Sequence, residues 1–389
     1  MRVFIIHNFY QHAGGEDVVF RQEVAELSKH HDVHIFTREN KRGLKGMMQF
    51  LTYPFNFFVS RKIAAAAREF KPDVVHIHNL HYAIGPWFIR PLAKMGIPIV
   101  QTLHNFRLLC PSASLFFRGS IFTASLDEDF PWTAVRLGAL DGSILKTFLT
   151  GFTYWVHRKL GTWDRISRFI VLSTFAKSMF QKSSFPAPSG KFAVRPNALD
   201  AYPRQEKRTD RFLYIGRLSE EKGIAPLLAA FADLPFTIEV YGTGPLQDFV
   251  EAMSKQNGRI HYHGFQPPEV LSLAISKASA LIVPSICYEG MPMTVIEAFA
   301  QGTPVLASNI GILAEMVVPL HTGMHFDPFD QSHIRATVTA WADLGSEAKK
   351  GIAENCIAAY KRHYTLEKNM DRLVAIYEEA IHTKKRQAQ

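Results

Sequence analysis

The chain has 389 residues, 47% of them hydrophobic, and a formal net charge of +9. That length and apolar content suit two domains with sizeable cores and exclude a disordered or fibrous chain. The three cysteines, Cys110, Cys287 and Cys356, are far apart and odd in number, so neither a disulfide framework nor a zinc site is expected, which fits a reducing cytoplasm.

The start of the chain offers only Val3-Phe-Ile-Ile6 before His7, too short for a signal-peptide core. No uninterrupted apolar run approaches the roughly 20 residues of a membrane span. The positive charge is uneven. Residues 1–203 hold 25 basic and 14 acidic side chains, a balance of +11, and the remainder balances at −2. No nucleic-acid recognition motif accompanies the excess, so nucleic acid is not an expected partner. An anionic membrane surface or a phosphorylated acceptor accounts for the same asymmetry.

Short β-branched or aromatic runs recur through the first half: Val3–Ile6, Val33–Phe36, Val74–Ile77, Ile97–Val100 and Phe169–Leu172. Helical patterns such as Asp17 to His30 and Ile63 to Phe70 lie between them, which predicts a doubly wound parallel sheet. The turn after the first strand contains Gly14-Gly15 before a helix. Such a pair offers backbone N–H groups to a phosphate or sugar, or is a plain flexible loop. Met47 to Lys62 mixes aromatic and basic residues, as a membrane-interface surface does, and Pro54 breaks any long helix there. An ordinary core-packing helix pair is the other reading.

His76, His78 and His81 lie close together, with His76 and His78 on one face of a strand. No thiolate or carboxylate set nearby in the sequence completes a metal site, so zinc is rejected. His104 follows the fourth strand at its carboxyl end, where functional groups collect, although a lone histidine is more often structural. Asp127-Glu-Asp129 has an Asp-x-Asp form but lies in an acidic loop before Pro131 and reads as surface decoration. Ser173 or Thr174 suits a helix N-cap, and the polar stretch Asp200 to Asp210 reads as an interdomain linker.

In the second half, Arg211–Arg217 is a strand ending at Gly216-Arg217, and Lys222 closes the turn before a helix from Ile224. A guanidinium and an ammonium at such a turn suit a diphosphate; two solvated cations are the other reading. Gly242-Thr-Gly244 and Gly264-Phe265 end two further strands. Ala280–Pro284 is a buried strand, and Glu289-Gly290-Met291-Pro292 is the turn from it into the helix carrying Glu297. Gly290 permits close backbone approach, and Pro292 suits the first helical turn. On one helix, Glu289 and Glu297 would be separated by about 12 Å of rise, wider than a glycosidase pair uses, so two separate contacts along an elongated ligand are the better reading.

The stretch from Ala280 to Ser308, with Glu289 and Glu297 eight positions apart, resembles the retaining nucleotide-sugar glycosyltransferases of family four. Gly216-Arg217-Leu218 with Lys222-Gly223, Gly242-Thr-Gly-Pro-Leu246, and Thr102-Leu-His-Asn105 with Arg107 and Cys110-Pro111 are further blocks of that resemblance. It implies a GT-B fold: two Rossmann-like doubly wound domains facing a central cleft. The expected division is 1–203 with a returning helix at 365–389 for the acceptor side, and 204–364 for the nucleotide-sugar side.

It also implies roles. Arg217 and Lys222 hold the donor diphosphate. Glu289, Gly290, Met291 and Pro292 contact donor sugar and phosphate, and Glu297 holds the ribose. His104 faces the sugar, with Asn105 and Arg107 as weaker candidates. Gly14, Gly15, Gly216, Gly242, Gly264 and Phe265 are further donor contacts.

The function so implied is retaining transfer of a hexosyl unit from a UDP- or GDP-sugar, without a metal or other cofactor. The acceptor is a lipid-linked or oligosaccharide chain in cell-surface polysaccharide or lipopolysaccharide biosynthesis. The protein would be cytoplasmic, peripheral on the inner face of the plasma membrane. A nucleotide-sugar epimerase on the same fold and a non-catalytic sugar-nucleotide-binding protein are the alternatives.

Overall fold

The computed structural model describes residues 1–11, 14–200 and 207–388. The chain forms two compact units: Met1–Leu115 with Phe122–Asn197 and Glu367–Gln389, and Phe116–Ile121 with Ala198–Leu366. The junction expected between residues 203 and 204 lies outside the described residues.

The first unit is built on strands β1 (Arg2–Phe9), β2 (Asp32–Glu39), β3 (Val74–Ile77) and β4 (Ile99–Leu103). A two-stranded hairpin follows, β5 (Phe116–Phe117) and β6 (Ser120–Ile121), which groups with the second unit. Strands β7 (Arg168–Val171) and β8 (Phe192–Val194) complete the first sheet. Its order is β2-β1-β3-β4-β7-β8, with every neighbour parallel. The runs that form β3 and β4 are buried on both faces, as central strands of a parallel sheet between helices require, whereas the run in the edge strand β2 has no buried residue.

The strand expected over Ile97–Val100 starts later, at Ile99, and runs to Leu103. Pro98 has no N–H to give to a ladder, so pairing begins after it. That shift puts His104 directly past the strand end. The terminal helix Leu366–Ala388 sends Leu373, Ile376, Tyr377 and Ala380 into a core with Val3, Ile5, Val74, Val100 and Ile170. The tail of the sequence therefore completes the first unit's core.

The second unit is built on β9 (Phe212–Ile215), β10 (Ile238–Tyr241), β11 (Ile260–Tyr262), β12 (Ala280–Val283), β13 (Val305–Ser308) and β14 (Gly323–Phe326). The order is β11-β10-β9-β12-β13-β14, again all parallel. Its core gathers Phe212, Phe231, Phe299 and Trp341 between sheet and helices. In each sheet the strand order reverses once, between β1 and β3 and between β9 and β12. Ligands of open α/β sheets bind beyond the strand ends at such a reversal.

Candidate functional site

The loops leaving β9 and β12 meet at the reversal in the second sheet. After β9, Ser219 leads into a single turn over Glu220–Lys222, and Gly223 then opens the helix Ile224–Ala232. After β12, the chain runs without regular structure from Pro284 to Pro292, and the helix Met293–Ala300 follows. Three contacts pin the loops together. Ile286 N–H donates to Glu221 O at 2.9 Å, Gly223 lies against Pro284 O, and Lys222 Nζ reaches Glu289 Oε1 at 2.6 Å.

The Lys222–Glu289 pair is 29% and 11% exposed. Ser285 Oγ donates to the same Glu289 oxygen at 2.5 Å. Burial alone pushes the Glu289 carboxyl up, but Lys222 and Ser285 outweigh it and hold it below its usual range. Burial likewise opposes the Lys222 charge, and Glu289 more than restores it. Each group keeps the other ionised. Arg217, just past the end of β9, is exposed and has no side-chain partner among the described residues. The site thus holds one neutralised cation and one available cation.

Glu289 lies in the loop and Glu297 on the helix after it, so the two acids do not share a helix. Pro292 is the residue capping that helix rather than part of its first turn, at φ −71° and ψ 114°. Glu297 is half-buried, makes no side-chain hydrogen bond among the described residues, and has its carboxyl pushed up by burial. A carboxylate in that state gains from two hydroxyl donors. Met291 packs on the second core, which leaves its backbone as the part able to meet a ligand.

Gly216, Gly242 and Gly264 stand side by side at the ends of β9, β10 and β11: Gly216 N–H donates to Tyr241 O, and Gly242 N–H to Gly264 O. The structure gives Gly242 a packing reason besides any ligand. It has φ +135°, and a Cβ there would sit 1.9 Å from Gly216 O. Phe265, next in line, is 76% exposed.

Gly223 was read from the sequence only as part of a motif block, with no role of its own. Its φ is +66°, and a Cβ would lie 1.9 Å from Pro284 O. Gly223→Ala should therefore strain the backbone and push the two loops apart. We expect a loss of about 1–3 kcal/mol and a fall of roughly 2–12 °C in the melting midpoint of this domain by calorimetry. An unchanged melt would disprove the close approach.

In the first unit, Gly14 caps the helix Gly15–Leu27. Asp17 fastens this entry: its Oδ2 accepts Gly14 N–H at 3.0 Å and its Oδ1 meets His7 Nε2 at 2.8 Å. A Cβ on Gly14 would meet nothing within 4 Å, so fold packing does not demand glycine there. Glu16, unmarked in the sequence, accepts a hydrogen bond from Asn79 Nδ2 at 3.1 Å. Burial, offset in part by Arg107, pushes its carboxyl up to about 8.

His104 is half-buried, with Nε2 3.2 Å from His78 Nδ1. Burial and then His78 hold it well below the usual histidine range, so it is neutral at pH 7. Asn105 Oδ1 accepts Arg107 N–H at 3.0 Å. Arg107 donates to Tyr82 Oη at 2.6 Å and to Pro111 O at 3.2 Å, which ties its loop to the one after β3. Asp129 takes Trp155 Nε1 at 2.9 Å and Arg158 and Lys159 on the surface, in keeping with a decorative acidic loop.

The histidine run differs from its reading in one respect. A carboxylate does join it: Glu23, His76 and His78 bring ligand-type atoms within 4.8 Å of one another. Their donor set is committed elsewhere. His76 spends both nitrogens on Thr102 Oγ1 at 2.8 Å and Tyr377 Oη at 2.7 Å, and Glu23 is paired with Arg195 at 2.6 Å. The cluster is a buried hydrogen-bond network.

Family comparison agrees with these two halves. Residues 13–201 match the model described as Glycosyltransferase Family 4, and residues 200–378 match that described as Glycosyl transferases group 1. A glycogen synthase of Mycobacterium tuberculosis is 32% identical over 304 residues, 73% of this chain and 63% of that relative. The chain thus spans somewhat under two thirds of that relative's length. The O-antigen chain mannosyltransferase B of Escherichia coli is 30% identical over 38% of this chain and 45% of its own.

Among solved structures, a sucrose-phosphate synthase from Thermosynechococcus elongatus superposes with a TM-score of 0.73 at 18% identity, covering 98% of this chain and 99% of that one. HepE of Anabaena in complex with UDP and glucose superposes with a TM-score of 0.65 at 17% identity, covering 97% and 100%. These likenesses establish the GT-B fold. Two adjoining family matches, two parallel-sheet domains and that fold together show that the chain belongs to the glycosyltransferases of family-four type.

Proposed function

We propose that the protein transfers a hexosyl unit, with retention, from a nucleoside-diphosphate sugar to a lipid-linked or oligosaccharide acceptor of a cell-surface polysaccharide. The observation that carries this reading is the placement of Lys222, Glu289 and exposed Arg217 on two pinned loops at the reversal of the second sheet. As the donor's glycosidic bond breaks, negative charge grows on the leaving phosphate. Arg217 bonds phosphate oxygens in a fork, Lys222 adds a point charge, and the amides at the start of the Met293–Ala300 helix add their dipole. Two cations do the work that a metal does in other transferases, so the reaction is metal-independent. Glu289 orients Lys222 and meets the sugar, Glu297 takes the ribose hydroxyls, and the strand-end backbone from Gly216 to Phe265 takes the nucleoside. Gly14, Gly15 and His104 present groups to the sugar, and the leaving phosphate assists deprotonation of the attacking hydroxyl on the same face.

The UDP bound to HepE favours a nucleoside-diphosphate donor, and the mannosyltransferase relative favours a glycan acceptor. The basic first half favours action at the inner face of the plasma membrane. Calorimetry with UDP, GDP and ADP tests the donor site. We expect one diphosphate to bind and Arg217→Ala to lose it; no binding by any would overturn the assignment. Proton NMR of the product then reads the anomeric configuration, and an inverted product would refute retention.

A further inference from the structure

We infer that the outer edge of β2 is a dimer interface, on which a second copy of this chain pairs its own β2 antiparallel about a two-fold axis at Ile35. The surface is independent of the proposed reaction.

The sheet edges differ. Of the end strands of the two six-stranded sheets, β8 and β11 have 3 residues and β14 has 4. Shortness is one way in which proteins protect an edge from pairing with another chain. β2 has 8 residues and holds its register with β1 along all of them. It carries no proline, and its central run Val33-His-Ile-Phe-Thr37 has no Asp, Glu, Lys or Arg. Ile35, at the middle of that run, is 42% exposed.

The backbone directions define what is free. Asp32 N–H donates towards β1, to Met1 O at 3.0 Å, and Asn40 N–H does the same to Phe9 O at 3.0 Å. In a parallel ladder alternate residues face the same neighbour, so Val33, Ile35 and Thr37 turn their N–H and C=O groups outward. Among the described residues nothing bonds to those groups. The row is closed at both ends. Glu39 O accepts Gln49 Nε2 at 3.1 Å, and His31 N–H donates to Leu27 O at 2.8 Å.

That window fixes the register. Centred on Ile35, antiparallel pairing sets Val33 opposite the partner's Thr37 and Ile35 opposite the partner's Ile35, and each such pair exchanges both N–H···O bonds. A centre at His34 or Phe36 would call on His31 or Glu39, whose outward groups are already committed. The side chains agree with the same register. Asp32 falls opposite the partner's Arg38, and His34 opposite the partner's Phe36, on both sides of the axis. On its own chain the exposed Asp32 carboxylate meets Arg2 Nε at 3.6 Å, and Arg38 has no side-chain partner among the described residues. Opposite charges that face across strands stabilise the pair, and like charges weaken it. In-register parallel pairing would set Asp32 against Asp32 and Arg38 against Arg38, so charge favours the antiparallel arrangement. A two-fold contact of this kind closes on itself and stops at two copies.

The test is sedimentation equilibrium of the full chain across micromolar concentrations. We expect an average mass that rises with concentration from that of one chain towards that of two; the mass of one chain throughout would overturn the proposal. Asp32→Arg and Arg38→Asp each create like-charge pairs on both sides of the axis, and each should weaken dimerisation at least about tenfold. Mixed in equal amounts, the two variants present complementary edges and should pair with each other as the natural chain pairs with itself. Both changes lie on the surface, and thermal melts at the natural midpoint show that the variants are folded. A dimer that neither substitution weakens, or folded variants that stay monomeric when mixed, would refute the register. Ile35→Pro removes an outward N–H and leaves the bonds to β1 in place. It should yield a monomer, and a dimer that survives it places the interface elsewhere.

Discussion

Lys222→Ala is expected to lower kcat by about 100- to 1000-fold, the usual loss when one preorganised partner of a developing oxyanion is removed. The size follows from where Lys222 sits. Its ammonium is held at 2.6 Å from Glu289 on a turn that Gly223 locks against Pro284, so it needs no reorganisation as phosphate charge grows. The variant should also bind the nucleoside diphosphate more weakly, since the ground-state diphosphate is charged as well. Lys222→Arg should rescue little, because Lys222 and Ser285 share one Glu289 oxygen, an arrangement that suits a point charge rather than a planar fork. Glu289→Gln should do less damage than Lys222→Ala: the ammonium loses its counter-ion but remains to meet phosphate. The measurements are single-turnover transfer with the donor identified by calorimetry, and a thermal melt of each variant. Full kcat in a folded Lys222→Ala protein would remove Lys222 from the chemistry.

What the sequence showed of this site, and what it concealed, follows from how local each feature is. The strand Val74–Ile77 is a short β-branched run buried on both faces, and its limits in the structure match those read from the residues. Arg217, Lys222 and Glu289 were legible because each closes or follows a strand. Glu23 was not. On the helix Gly15–Leu27 it reads as one more surface acid. It is buried because Arg195, far along the chain at the exit from the first domain, reaches it. No local pattern announces a pair so far apart in sequence. The strand β14 was missed for a related reason: Gly323-Met-His-Phe326 has weak strand character, and its place at the sheet edge is set by pairing with β13. The same limit applied to Met47–Lys62, where composition suited either a core-packing helix pair or a membrane-interface surface: which of its side chains are buried, as Tyr53 and Val59 are, and which are exposed, as Met48 and Phe58 are, is set by tertiary packing.

That segment is the basis of the second large effect. The triple variant Leu44→Ser, Met48→Ser, Phe58→Ser is expected to bind anionic vesicles about 100-fold more weakly than the natural chain. In the structure the helix Gly43–Thr52 has no buried residue at all. Leu44 is 77% and Phe58 65% exposed, with Met47, Met48, Leu51 and Phe57 also open to solvent. The patch is fastened from beneath by buried Tyr53 and Pro54, and Asn56 caps the next helix by accepting Val59 N–H at 3.2 Å. Around a groove of about 950 Å³, Arg38, Lys41 and Lys45 border Leu44, Met48 and Phe58. Lys62 Nζ lies 4.6 Å from the Phe58 ring centroid.

Apolar side chains ringed by cations match the headgroup and acyl boundary of an anionic bilayer. Full burial of such a side chain is worth about 1.5–3 kcal/mol; at about half that depth, three of them sum to roughly 3 kcal/mol, or about 100-fold. The cations add about 1 kcal/mol each near the surface, a share that salt should screen. Binding is read by co-sedimentation with vesicles of phosphatidylglycerol and phosphatidylcholine at low and high salt. Because the substituted side chains are already in water, the melt should not move. If the natural chain ignored these vesicles, or the variant bound them equally, the patch would have no role in bringing the enzyme to its acceptor.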